Sequence, residues 1–509
     1  MIVKLAFLIC FFVIMILVGF YARKHATNVG DFVLGGRAVG PWLTAFAYGT
    51  TYFSAVIFVG YAGQFGWKYG TAATWIGIGN AFIGSLLAWV VLGRRTRVMT
   101  HHLKSSTMPD FFGSRFDSKA LKIVASAIVF IFMIPYTASV YKGLSGLFNM
   151  AFNVPYEVCV LAMAVLTGIY VILGGYMATA INDFIQGIIM LAGIVAVIAA
   201  VIGGQGGFME AISNLARIPS DAQTTMGQPG AFTSFFGPDP KNLLGVIILT
   251  SLGTWGLPQM VHKFYAIKSE KSIKSGTIIS TVFAVVISGG CYYLGSFGRL
   301  FDNPSIRNAA GAVNFDAIIP YMLSDLSDVL IGVVVVLVLS ASMSTLSGLV
   351  LTSSSTLTLD FLKDNLVKNM SEKKQLLVMR ILIVFFITLS VVLAVNPPAF
   401  VAQLMGIAWG AMAGSFLAPF LYGLYWKGVT KAAVWASFAA GVGITVSNLF
   451  LKYIASPINA GAIAMVSGLV IVPVVSLITP KMRRDKVSEL FSCYDEPVTV
   501  HARKSIQEA

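Results

Sequence analysis

The chain has 509 residues, 57% of them hydrophobic and only 11% charged, with a mean hydropathy of +0.82. Soluble domains carry roughly 25% charged residues, so this composition excludes a soluble globular protein and points to a polytopic membrane protein. The formal net charge of +14 does not signal nucleic-acid binding, because Lys and Arg fall mainly in alternate loops between apolar runs, as orientation signals do.

A bilayer core about 30 Å thick takes about 20 apolar residues per helix. On that measure the sequence predicts an all-α fold with about thirteen transmembrane helices, near 3–21, 41–66, 71–93, 121–148, 157–175, 182–203, 243–262, 275–298, 328–358, 376–395, 398–425, 432–452 and 461–480. The first run, IVKLAFLICFFVIMILVGFY, lacks a small-residue cleavage pattern and reads as a retained helix. The basic loops ARKH, RRTRVMTHHLK, HKFYAIKSEKSIK, DFLKDNLVKNMSEKK, YWKGVTK and KMRRDK follow odd-numbered spans. By the positive-inside rule the N-terminus lies outside and the C-terminus in the cytoplasm of a multi-pass plasma (inner) membrane protein. Residues 1–480 form a single transmembrane domain, and 481–509 are a short cytoplasmic tail. The outer segments 204–242 and 299–327 are rich in Gly, Pro and polar residues and read as surface connectors that could also cover an opening. The four cysteines show no CxxC spacing and indicate neither a disulfide framework nor a zinc site.

Two spans are interrupted. Span two carries Gly49, Thr50, Thr51, Tyr52 and Ser54 in its middle, and span seven carries Gly253, Gly256 and Pro258. Gly favours irregular backbone and Pro removes a donor, so both helices are expected to unwind there. Each opens a set of five spans, 41–203 and 243–425, and a unit with an odd number of crossings repeats upside down. Broken helices at matching places in two halves point to a transporter's central site; for either span alone, a kink in an ordinary packed helix is the competing reading.

Span nine places SASMSTLSGLVLTSSST within an apolar run. In hydrocarbon each hydroxyl needs a partner inside the protein. For Thr352 to Thr356 that partner is expected to be the carbonyl four residues back. Ala341, Ser344, Thr345 and Gly348 form a small, polar stripe at three-and-four spacing, which suits close helix packing or an ion site. Hydroxyls from this stripe and carbonyls freed by the span-two break would make an oxygen cage without a carboxylate, which favours a monovalent cation over calcium or magnesium. Asp183, at the entrance of span six, is either a solvated edge acid or, if inside the membrane, functional.

GTTYFSAVIFVG in span two, GLPQMVHKF in span seven, INDFIQG at span six, SMSTLSG in span nine and TMPDFFGSRF at 107–116 together resemble the sodium:solute symporter family. The resemblance implies a leucine-transporter-like (LeuT-like) core of two inverted five-helix repeats with broken helices, importing a small organic solute with sodium by alternating access. It implies sodium binding by the carbonyls of Thr50, Phe53 and Ala341 and the hydroxyls of Ser344 and Thr345. A second sodium, as some members hold, would map onto Asp183, Ser344 and Ser347, but the next serine of that run is Gly348 here. Sodium is then the coupling ion, and no cofactor is implied.

The Glu-Gln pair of the family's sugar carriers corresponds to Val56 and Ile57, and the aspartate and tryptophan of its proline carriers to Tyr52 and Val56, so neither specificity transfers. The solute is expected among carboxylates, vitamins and amino acids, lined by Tyr52, Ser54, Trp255 and Gln259, each of which also has a packing role open to it. No HExxH or GxSxG motif supports an enzyme. A transporter-like sensor or a channel without coupled transport is the alternative. The short tail disfavours the sensor, and the matched broken helices disfavour the open pore.

Overall fold

The computed structural model describes residues 2–495 apart from 309, 364–366, 368–369 and 397–399, so the end of the expected tail, 496–509, lies outside the described residues. The helices are α1 (Ile2–Ala22), α2 (Val29–Leu34), α3 (Pro41–Tyr52), α4 (Ala62–Tyr69), α5 (Thr74–Gly79), α6 (Arg94–His102), α7 (Met108–Arg115), α8 (Lys119–Phe152), α9 (Tyr156–Gly204) and α10 (Phe208–Arg217). There follow α11 (Pro240–Gly253), α12 (Pro258–Ala266), α13 (Glu270–Gly295), α14 (Ile318–Leu323), α15 (Asp328–Thr356), α16 (Glu372–Val395), α17 (Val401–Tyr425), α18 (Lys431–Leu451), α19 (Pro457–Ile478) and α20 (Arg484–Ser492). Starts are set by local chemistry: the side chains of Asn28, Thr107, Ser118, Asp239, Ser269, Ser327 and Thr430 each accept a first-turn amide, satisfying a donor that the helix cannot.

Eleven helical runs among the described residues are long and apolar enough to cross a membrane, against the thirteen spans expected. Two runs account for the difference. Val56–His102 has 47 residues and Tyr156–Gly204 has 49, about 70 Å each at 1.5 Å per residue. The first joins the end of span two to span three, and the second joins spans five and six. Each turns at a glycine with positive φ, Gly70 (57°) and Gly175 (52°), a conformation that costs other residues energy. A side chain at Gly175 would also press on the Phe32 main chain.

Burial separates the centre from the rim. The apolar stretches of Asp328–Leu362 and Val401–Tyr425 are 83% and 89% buried, against 17% for α1 and 33% for α16 and α18. Accordingly α15 packs on α8, α9 and α3, and α17 packs on α8, α11, α18 and α19. The rim helices present Leu17, Phe20, Val384, Phe385, Phe450 and Leu451 outward, as a chain solvated by lipid requires.

Both expected breaks are present. Helix α3 ends at Phe53 (φ −101°, ψ 82°) and the chain resumes helical winding in the wider turns Val56–Tyr61 that lead into α4. Helix α11 ends at Gly253 and α12 starts at Pro258, whose missing amide hydrogen is harmless in a first turn. The two broken helices run in opposite directions. The Val39 amide bonds the Ala266 carbonyl at 3.2 Å and the Lys268 amide bonds the Val39 carbonyl at 3.0 Å, so α3 begins where α12 ends. At the other face the end of α4 (Trp67, Lys68, Tyr69) lines a cavity of about 760 Å³ with the start of α11 (Asp239, Asn242, Val246).

The two Gly- and Pro-rich segments are more ordered than plain connectors. They pack on the α4–α5 corner and on each other: the Arg299 guanidinium bonds the Trp67 carbonyl and the Asp221 carboxylate, both at 2.6 Å, and lies against the Trp67 and Phe232 rings. Beneath them α4 and α13 touch main chain to main chain, since a methyl group on Gly66 would collide with the Gly295 carbonyl and one on Gly295 with the Ala62 carbonyl. Gly66→Ala is expected to lower the apparent Tm in detergent, since overpacking costs about 1–3 kcal/mol even where side chains can shift, whereas Gly289→Ala, mid-helix with open space beside it, is expected to keep or raise it.

Candidate functional site

The break in α3 frees carbonyls that a continuous helix would keep for itself. The Phe53 amide makes the last bond of the ladder, to Gly49. The Thr50 hydroxyl is used within the helix, donating to Phe46 at 2.8 Å, so it is the Thr50 carbonyl that faces α15. There the Ser344 hydroxyl lies 2.9 Å from the Thr50 carbonyl and 3.2 Å from that of Ala341. The Thr345 hydroxyl lies 3.1 Å from the carbonyls of Thr51 and Ala341 and 3.4 Å from that of Thr50.

Five oxygens therefore converge, three carbonyls and two hydroxyls, with only two hydroxyl protons to share among them. Such a cluster has more lone pairs than donors, which is the chemistry of a site for a small monovalent cation. Of the residues expected here, Thr50, Ala341, Ser344 and Thr345 come together. Phe53 stands at the break with its ring stacked on Tyr52 at 4.2 Å, and among the described residues the hydroxyl contacts reach Thr51 in its place. The signal for Thr51 was available, since consecutive carbonyls are freed together at a helix end. Gly348 permits the approach: a side chain there would put Cβ 3.3 Å from the Thr51 methyl group. Gly187 of α9 likewise leaves room for Phe46 and Thr50.

The hydroxyls nearer the end of α15 behave unevenly. Ser354 donates to Val350 four residues back and Ser355 to Thr352 three back, as helix self-bonding predicts. Ser353 and Thr356 do not follow that expectation, because their buried hydroxyls make no hydrogen bond.

Asp183 is fully buried on α9, one turn before Gly187 and so on the face turned to α3, and not at a solvated edge. Neither carboxylate oxygen has a hydrogen-bond partner, and its counter-charge is the Lys263 ammonium of α12 at 3.6 Å. The sequence pattern placed Lys263 and His262 in a solvated basic loop. In the structure both are buried, and Lys263 is tolerated there because Asp183 neutralises it. Ser347 donates its hydroxyl to the Ser344 carbonyl at 2.9 Å.

The four residues expected to line a solute pocket divide. The Tyr52 hydroxyl donates to the Thr250 carbonyl of α11 at 2.6 Å and ties the two broken helices together. Ser54 accepts the Val56 amide at 3.2 Å, a cap on the restarting chain. Trp255, in the second break, donates its indole N–H to Ile83 at 3.0 Å. Gln259, on the first turn of α12, is buried with both amide atoms unpartnered. Next to Tyr52 the structure also brings Tyr136 of α8 and Trp409 of α17, which the sequence reading did not single out. Their rings meet edge to face at 5.9 Å, Trp409 also faces Tyr52 at 6.2 Å, and the buried Tyr136 hydroxyl and Trp409 indole N–H face each other. Neither residue lies in a broken helix, the only signal used to look for the pocket.

Antiparallel broken helices around a buried oxygen cage define a secondary transporter with a central site. The family model of the sodium:solute symporter family matches residues 32–441, and the chain belongs to that family. A sodium/proline symporter of Staphylococcus aureus (strain JH9) is 28% identical over 505 residues, covering 93% of this chain and 91% of that one. Among solved structures, a Na+-coupled sialic acid symporter in a substrate-bound outward-open state aligns with a TM-score of 0.76 at 18% identity, covering 94% of this chain and 98% of that chain. A nucleobase-cation-symport-1 family transporter in a closed conformation aligns with a TM-score of 0.50 at 14% identity, over 90% of this chain and 97% of that one. The fold is thus of the LeuT-like class, and the protein is a multi-pass sodium-coupled symporter and not an enzyme.

The bond between the breaks is testable on its own. Tyr52→Phe strands the Thr250 carbonyl, at a cost of about 1–3 kcal/mol, and is expected to lower the apparent Tm in detergent, whereas Tyr453→Phe, at an exposed position, does so less.

Proposed function

We propose that the protein imports a small organic solute of amino-acid size, a carboxylate, a vitamin or an amino acid, driven by sodium bound between the α3 break and α15. The observation that carries this reading is the approach of the Ser344 and Thr345 hydroxyls to the carbonyls of Thr50, Thr51 and Ala341. Sodium there would hold the broken helix against α15, complete the solute pocket and shift the population toward inward opening. Sodium and solute then bind with reciprocal cooperativity.

The solute would bind beside Tyr52, Trp255, Gln259, Tyr136 and Trp409. The unpartnered side-chain amide of Gln259 suits a carboxylate, to which its N–H groups can donate. The named relative transports proline, but Tyr52 stands where the proline carriers have an aspartate, so proline is one arm of the test and not the conclusion. The repeat boundaries 41–203 and 243–425, with the N-terminus outside the plasma membrane and the tail inside, complete the reading. One inward charge contributes about 2.3 kcal/mol at 100 mV and a tenfold gradient about 1.4, so one sodium can sustain roughly 500-fold accumulation of a neutral solute.

The test is uptake into proteoliposomes of a panel of amino acids, vitamins and carboxylates. An inward sodium gradient is expected to drive accumulation of one of them, with Ser344→Ala and Thr345→Ala raising the half-saturating sodium concentration about tenfold, the equivalent of one lost contact of about 1.4 kcal/mol. Ser354→Ala, whose hydroxyl serves its own helix, is expected to change it less than twofold. Full-speed uptake in sodium-free choline buffer at fixed pH, or equal effects of all three substitutions, contradicts the reading.

A further inference from the structure

Asp183 and Lys263 form a buried pair beside the proposed cage, and the pair bears on how many sodium ions the protein takes. This step rests on the reading of the cage given above. Asp183 is fully buried and the Lys263 side chain is 3% exposed, with 3.6 Å between Nζ and Oδ2. The ammonium also sits over the Tyr176 ring at 5.3 Å. The pair is electrically neutral as it stands. A sodium on the same carboxylate would set two cations against one anion away from water, and stripping a buried ammonium of its partner is strongly destabilising.

Ser347, which the family resemblance groups with Asp183, keeps its hydroxyl 2.9 Å from the Ser344 carbonyl, so oxygens for a second ion remain once the ammonium is removed. Asp183 also lies one helical turn from Gly187, which packs on Thr50, so the carboxylate is close to the cage without belonging to it. We propose that Lys263 is a tethered cation that occupies Asp183 in place of a second sodium, which fixes the protein at one sodium per transport cycle. Because Lys263 belongs to α12, the same contact positions the second half of that broken helix against α9.

The test needs no knowledge of the solute. Equilibrium binding of 22Na+ to the purified full-length protein in detergent counts bound ions directly. The native protein is expected to bind one, and the charge-balanced double variant Asp183→Asn/Lys263→Met is expected to bind one as well. Lys263→Met alone exposes the carboxylate and is expected to bind two. Two ions on the native protein falling to one in the double variant overturns the proposal, as does a folded Lys263→Met that still binds one. Should Lys263→Met fail to fold, the native and double-variant counts decide between one ion and two. Ser344→Ala/Thr345→Ala separates the two levels of the argument: it should remove the ion from the native background. Absence of any bound sodium on the native protein overturns the reading of the cage itself, and this inference with it.

Discussion

A helix broken inside a membrane leaves carbonyls that no water can reach, and the rest of this structure is arranged around satisfying them. At the end of α3 the partners are two hydroxyls on α15. That single meeting requires Gly348 and Gly187 to let three helices close on one another, and it requires α15 to be the most enclosed part of the bundle after α17. The α11–α12 break is satisfied from other directions: the Thr254 hydroxyl donates to the Ser251 carbonyl, and the Trp255 and Gly256 amides donate to those of Leu252 and Gly253. The two breaks are then joined through Tyr52.

Polar groups in the interior fall into those with partners and those without. Tyr48 and Tyr170 donate to main-chain carbonyls of Gly84 and Met343 and hold helices together. Gln259 and Asn182 keep unpartnered atoms although each is buried. An unsatisfied buried donor costs about 1–3 kcal/mol, so each such group marks a place where packing alone does not set the residue type.

Much of this was legible in the sequence, for identifiable reasons. Gly256 and Pro258 lie at the second break itself, whereas the first falls at Phe53, just beyond a Gly49 that is still helical and makes room for Phe283. The stripe of Ala341, Ser344, Thr345 and Gly348 disclosed the facing surface, because helical spacing is regular. What stayed hidden depended on contacts across the fold. Lys263 looks like a loop base until its pairing with Asp183 is seen, and Tyr136 and Trp409 come from helices 273 positions apart in the chain. The count of membrane runs fell from thirteen to eleven because hydropathy divides at polar corners, whereas the chain turns at Gly70 and Gly175 without leaving a continuous run.

The central claim is that sodium binds where the interrupted α3 meets α15. Hydrogen–deuterium exchange of the detergent-purified protein, compared in sodium and in choline at equal ionic strength, tests it most directly. The account predicts that peptides covering 46–58 and 340–350 gain protection together, with the same half-maximal sodium concentration. Protection confined to other helices, or no change in these two segments on adding sodium, would contradict it.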